Sequence, residues 1–210
     1  MRIAKKLLTG IGSLIAFVYP YRLHKILQVQ ILGFLYTGWV GKNFKAFGKS
    51  CFISRPLFLF GGNYISIGDD FRAEKCLRLE AHARYHDAKF NPQIIIGDRV
   101  SINFDCHIAA VNKIVIGNDV LIASKVLITD HYHGVINKEG LQIPTALRTL
   151  QSKGPVIIQN NVWIGDGVCI MPDLTIGENC IIGANAVVTK SFPANSIIGG
   201  IPAEIIRTFH

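Results

Sequence analysis

The chain has 210 residues, half of them hydrophobic and only 17% charged, with 20 glycines and a net charge of +8. That composition excludes a disordered chain and suits one domain, or one domain with a small extension, rich in tight turns. The positive balance favours a phosphate-bearing ligand or an anionic membrane surface, but the cations are scattered and no nucleic-acid motif is present, so nucleic acid is not expected as a partner. The cysteines Cys51, Cys76, Cys106, Cys169 and Cys180 are odd in number and form no CxxC pair, which argues against a disulfide framework and a zinc knuckle.

Arg2, Lys5 and Lys6 precede the apolar stretch Leu7 to Val18, as in the first two regions of a signal peptide. No small-x-small cleavage site follows, since the chain continues Tyr19-Pro20-Tyr21-Arg22. The stretch is too short to span a bilayer. Leu8, Ile11, Leu14, Ile15 and Val18 fit one helical stripe, and Leu23, Ile26, Leu27 and Ile31 fit a second. Residues 1–45 are therefore expected to form a short helical extension over the first coil of the repeat that follows. Two readings stand: a helix packed on the body, or a basic interfacial helix on the inner membrane leaflet. Either way the expected location is cytoplasmic, at the inner face of the membrane in the second reading.

From about residue 46 a six-residue period takes over. Its early members are Ile53 and Leu59, then Ile67, Ala73 and Leu79. Regular runs follow: Ile96, Ile102, Ile108; Ile116, Ile122, Ile128; and Ile158, Ile164, Ile170, Ile176, Ile182, Val188. Two positions before each regular member sits another apolar or small residue, such as Ile94, Val120 or Cys180. Residues i−2 and i share one face of a strand, so each unit is a short strand with two inward side chains and then a turn. Cys51, Cys106 and Cys180 fall at inward positions, as small buried hydrophobes. Gly97-Asp98, Gly117-Asn118, Gly165-Asp166 and Gly183-Ala184-Asn185 supply the turns, and their Gly and Asn residues are expected to take the positive φ that tight corners demand. One unit cannot bury its own apolar pair, so the units must stack as an all-β solenoid.

The breaks in the period are insertions: about His82 to Pro92, two residues around Asn112, and a long loop at about 131–154. Loops projecting from a rigid solenoid are where function sits. At the far end, Phe192-Pro193 and Ile201-Pro202 are expected to break the winding, because proline donates nothing to a ladder.

The segment from Ile164-Gly165 to Ile182-Gly183-Ala184, then Val187-Val188-Thr189-Lys190 and Gly199-Gly200-Ile201-Pro202-Ala203, together with Asn103-Phe104 and Thr129-Asp130-His131 upstream, resembles the hexapeptide-repeat acyltransferases. Within them it is similar to the maltose, galactoside and colanic-acid O-acetyltransferase group, over roughly residues 50–207. The resemblance implies a left-handed parallel β-helix over residues 46–210, three strands per coil, and a homotrimer with acetyl-CoA in the groove between neighbouring prisms. The left hand is an exception to the usual crossover rule and comes from the resemblance alone. The implied reaction is acetyl transfer to a hydroxyl of a sugar or polysaccharide precursor, with no metal.

Such a transfer needs a base for the hydroxyl proton and donors for the oxyanion. His131, at the start of the long loop, matches the family's catalytic histidine, and an imidazole titrates in the right range. His133, two residues on, is its rival and otherwise an acceptor-binding residue. Asn103 matches a residue lining the acceptor site. For CoA the resemblance points to Trp163, Gly165, Asp166, Ala184, Thr189, Lys190 and Arg207, the two cations meeting phosphates. Where related enzymes place a further arginine near the C-terminal proline, this chain has Glu204. His107 should point outward, into a groove. Rival readings are aminosugar N-acetylation, a zinc-dependent gamma-type carbonic anhydrase using His107, His131 and His133, and a non-catalytic trimeric scaffold.

Overall fold

The computed structural model describes residues 1–135 and 137–209, so residue 136 of the long insertion lies outside it, as does residue 210. The repeat produces three parallel sheets visited in rotation. The first side runs Ala46–Phe47, Ile65–Ile67, Gln93–Ile96, Lys113–Ile116, Val156–Ile158, Leu174–Ile176. The second begins with Phe52–Ile53 and Arg72–Ala73 and reaches Ile181–Ile182 and Ser196–Gly200. The third runs from Leu57–Phe60 and Leu77–Ala81 through His107–Ala110 and Leu127–Thr129 to Cys169–Ile170 and Val187–Val188. Three strands make a coil, and six coils stack.

The inward residues line up coil upon coil. Ile96, Ile116, Ile158 and Ile176 are in register on the first side. Ile102, Ile122, Ile164 and Ile182 are in register on the second, and Leu79, Ile108, Ile128, Ile170 and Val188 on the third. All are buried, each contributing about 1.5–3 kcal/mol relative to exposure. Cys51, Cys106 and Cys180 are buried too, and burial raises all three thiol pKa values.

The corners differ from the expectation in one respect. Positive φ falls on the third residue of the turn, at Arg99, Asp119, Asn161, Asn179 and Asn185, and not on Gly97, Gly117, Gly165, Gly177 or Gly183. Gly97, Gly117, Gly165 and Gly177 are required by close approach instead: a Cβ on Gly117 would lie 2.8 Å from the carbonyl carbon of Gln159 in the next coil. Beside them a ladder of side-chain acceptors caps the backbone, with the Asp98 N–H donating to Asn118 Oδ1 and the Asn118 N–H to Asn160 Oδ1, both at 2.8 Å.

The interruptions of the period emerge as two protrusions. Residues 82–92 carry a small antiparallel hairpin, Arg84–Tyr85 with Ala88–Lys89. In the long insertion, Tyr132–His133 pairs antiparallel with Leu150–Gln151. At the far end Phe192 still bridges Ile176, and the chain adds one more parallel strand, Ser196–Gly200, before Ala203–Thr208 folds back on it. The winding thus survives Pro193, which lies between the last two sides, and stops at Pro202.

Residues 2–41 form helices α1 (Arg2–Val18), α2 (Tyr21–Lys25) and α3 (Leu32–Gly41), with a π-helical turn at Ile26–Ile31. Only α3 caps the first coil. Thr37 Oγ1 accepts the Ile53 N–H at 2.9 Å, Tyr36 Oη accepts the Leu57 N–H at 3.1 Å, and Gly33 lets the helix close on the Phe52 ring. α1, α2 and the π-helical turn bury none of their residues, so neither expected stripe packs into the body, and the cap comes from α3, beyond both stripes.

Candidate active site

Both protrusions leave the third side, after Leu77–Ala81 and after Leu127–Thr129, the strands that flank His107–Ala110, and a cleft of about 450 Å³ lies between them and the outer surface of that side. His131 and His133 line it from the long insertion, Tyr85 from the hairpin, and Glu80, His82 and His107 from its floor.

His131 is fixed from below. Asp130 is two positions beyond the inward Ile128 and is itself fully buried. A buried carboxylate needs partners, and Asp130 has three. It accepts the Val111 N–H at 2.9 Å and the Asn112 N–H at 2.8 Å, which explains why the chain spends two extra residues at that corner. Its Oδ1 also lies 2.9 Å from His131 Nδ1. Thr129 Oγ1 donates to the His131 carbonyl at 3.1 Å. A carboxylate can only accept, so Nδ1 carries the proton and Nε2 is left as a basic lone pair. His133 has a looser setting, its Nδ1 3.5 Å from Tyr85 Oη.

The floor is a charged network. Glu80 bonds Arg78 at 2.8 Å and His107 Nε2 at 2.9 Å, and His82 Nε2 is 3.6 Å away. Burial pushes the Glu80 carboxyl up, but the hydrogen bonds from Arg78 and His107 outweigh it and hold its pKa below the ordinary carboxylate value. Burial, reinforced by the charges of His131 and Arg78, holds His82 below the ordinary histidine value despite Glu80, so His82 is neutral at pH 7. Its ring lies tilted by 33° against Phe60 at 4.9 Å and meets His131 edge-on at 6.3 Å.

The other residues singled out in the sequence lie elsewhere. Asn103, Gly165, Asp166 and Ala184 stand along the corner between the second and third sides, and Asp166 spends one carboxylate oxygen on the Ser124 N–H at 2.9 Å. Trp163 is on the outer face of the second side, 51% exposed. Thr189 and Lys190 are exposed at the corner between the third and first sides, above His131, and Lys190 is paired with Glu204 at 2.6 Å. Arg207 lies on the last, antiparallel strand with its guanidinium 4.6 Å over Phe209. Within one chain, His131 and His133 share a cleft; Asn103 is at a different edge. The sequence reading missed Asp130, Glu80 and His82. Asp130 carried a signal, an acidic residue at an inward position, whereas the Glu80 network depends on which strands stack. His107, His131 and His133 are not among any group of side chains placed to hold a metal ion, within the described residues.

The bacterial transferase hexapeptide (six repeats) family matches residues 155–190. WbbJ of Escherichia coli (strain K12), named as a lipopolysaccharide biosynthesis O-acetyl transferase, is 37% identical over 171 residues, 79% of this chain and 83% of WbbJ. The galactoside O-acetyltransferase of the same organism is 37% identical over 121 residues, 56% of this chain and 55% of the relative. The crystal structure of a maltose O-acetyltransferase from Clostridium difficile 630 superposes with a TM-score of 0.55 at 29% identity, covering 81% of this chain and 73% of that one. The N-acyltransferase AntD from Bacillus cereus, in complex with dTDP and 3-hydroxybutyryl-CoA, shares the fold with a TM-score of 0.67 at 21% identity, covering 83% of this chain and 88% of AntD. This chain belongs to the hexapeptide-repeat acyltransferases.

Proposed function

We propose that this protein transfers the acetyl group of acetyl-CoA to a hydroxyl of a sugar or polysaccharide precursor. The observation that carries this reading is the buried Asp130 bonded to Nδ1 of His131, a residue that lines the cleft and whose Nε2 that bond leaves free. His131 takes the acceptor's hydroxyl proton as the oxygen attacks the thioester carbonyl carbon. The carbon–sulfur bond then breaks, and the imidazolium returns its proton to the departing thiolate. Asp130 holds the tautomer and stabilises the transient positive charge. His133 and Tyr85 are acceptor-binding groups. The sugars in the names of the galactoside and maltose relatives, and the lipopolysaccharide biosynthesis in that of WbbJ, support the acceptor class.

The working unit of this proposal is a homotrimer of left-handed coils, as in the family. Two features support assembly. Asn103 and the CoA candidates Gly165, Asp166 and Ala184 share one corner, while His131, Thr189 and Lys190 share another, so a groove between two prisms would join the sets. The long insertion also exposes Leu141, Ile143 and Leu147, an apolar surface suited to a neighbouring subunit. In that groove Trp163 offers a flat apolar wall, and Lys190 and Arg207 offer charge to phosphates. The proposed use of acetyl-CoA supports a cytoplasmic location, at the inner face of the membrane.

The test is thiol release from acetyl-CoA over a panel of sugars and aminosugars. Release that depends on a sugar hydroxyl is the expected result. Release only with aminosugars would convert the reading to N-acetylation, and no release with no binding of CoA would overturn it.

A further inference from the structure

The charge of this chain is distributed unevenly. Nine of its 22 Lys and Arg residues lie before residue 69, and the first acidic residue is Asp69. The remainder is close to neutral, so the whole positive excess belongs to the helices and the first coil. α1 is amphipathic: Arg2, Lys5, Lys6, Thr9 and Ser13 share one face, while Ile3, Leu7, Ile11, Leu14 and Ile15 cover the other. No residue of this face is buried, with Leu7 67% and Leu14 73% exposed. At 17 residues α1 is roughly 26 Å long, and no single described helix is long and apolar enough to cross a membrane. After a bend of 70° the apolar surface continues along residues 21–41, with Arg22 and Lys25 beside it.

The solenoid has a matching polarity along its axis. α3 seats the helices on the first coil. Trp163, Ala184, Lys190 and Arg207 are all in the fifth coil or beyond, and His131 leaves the fourth. From His131 towards the helices the outer surface of the third side carries His107, Glu80 and Arg78, then the half-exposed rings of Phe58 and Phe60. At the strand spacing this path is roughly 14 Å long. The outer surface of the third side thus runs from the cleft towards the basic, apolar helices, and the CoA candidates lie in coils on the other side of the cleft.

We infer that residues 1–31 are an interfacial anchor bedded in an anionic bilayer leaflet, and that the acceptor is a glycan carried on a lipid in that leaflet, reaching His131 along the third side. Positive charge on the polar face meets anionic headgroups, and the uncovered apolar face meets acyl chains. The acceptor half of this inference rests on the transferase reading; the anchor half does not.

The experiment uses the full chain and vesicles of phosphatidylcholine, alone or in equal parts with phosphatidylglycerol. Flotation with the phosphatidylglycerol vesicles and not with the neutral ones is expected. The variant Arg2→Glu/Lys5→Glu/Lys6→Glu, which disturbs no buried contact, should bind about a hundredfold more weakly. The sugar that supports thiol release is then offered as its methyl glycoside in solution and as a long-chain alkyl glycoside embedded in the same vesicles. The native chain should use the embedded form at least about tenfold more efficiently, and the variant should lose that advantage while turning over the methyl glycoside normally. Normal turnover of the methyl glycoside without binding to anionic vesicles overturns the anchor, as does dissociation of the oligomer by the variant, which would make α1 a subunit contact. Vesicle binding with no preference for the embedded glycoside overturns the lipid-carried acceptor. Vesicle binding with no thiol release from any glycoside sinks the transferase reading and the acceptor half, and leaves the anchor standing.

Discussion

Asp130 decides what His131 can do. Were this carboxylate an amide, one of its hydrogen-bond positions would become a donor and could no longer accept the Nδ1 proton, so the imidazole would sit in the wrong tautomer. Asp130→Asn is expected to lower kcat by about one to four orders of magnitude with little change in KM; a kcat within twofold of the native value would deny Asp130 its positioning role. His133→Ala, by contrast, should act mainly on acceptor KM. His82 sets the acid limit of the site. Its folded pKa lies below the unfolded one because it is buried, so the unfolded chain binds the extra proton first and stability falls as pH drops below about 6.5. Glu80, whose folded pKa is also depressed, adds a further loss at lower pH, below the ordinary carboxylate value. Thermal unfolding between pH 8 and 5 (a window set by the ordinary histidine value) should show Tm falling on the acid side, with a shallower fall in His82→Gln. An unchanged slope in that variant would assign the loss to other groups. At this scale the proposed base was named from the sequence because His131 stands where the period stops and matches the family's motif. The partner was legible only in principle: Asp130 is in phase with Ile128, and an acidic residue in phase with the core is either an error or a device.

At the scale of elements, the strands were the easiest part to read. Alternate inward residues at a fixed six-residue spacing leave a coil as the one way to bury them, and the pairs Ile122/Ile164 and Ile128/Ile170 stack as that logic requires. Ile122→Ala should cost about 2–5 kcal/mol, since a rigid stack cannot collapse onto the missing side chain; chemical denaturation showing less than about 1 kcal/mol would mean the coils relax, contrary to the register seen here. The corners were read less well. Glycine was credited with conformational freedom, whereas Gly97 and Gly117 answer to the backbone of the next coil, a constraint invisible until coils are stacked. The break at Pro193 was misplaced for a related reason: the residue falls at a corner, where no ladder donor is missed. The π-helical turn at Ile26–Ile31 has no signal that period analysis detects.

At the scale of the whole molecule, the candidate residues divide between two corners of the prism, and this division could not be read from the sequence before the strands were assigned to sides. In the proposed trimer each site takes His131 from one subunit and Asn103 from the next. Mixing His131→Ala and Asn103→Ala subunits under conditions that exchange protomers should then restore about a quarter of native activity, because one site in four would receive both native corners. No recovery on mixing would place the two residues in separate sites or deny Asn103 a role.

The most direct measurement is acetyl-CoA thiol release by the native chain and by His131→Ala, with CoA binding followed calorimetrically in both. Acceptor-dependent release that falls by about two to four orders of magnitude in the variant, with CoA binding preserved, is the predicted result. Undiminished release in His131→Ala would contradict the assignment of the base, and His133 would take its place.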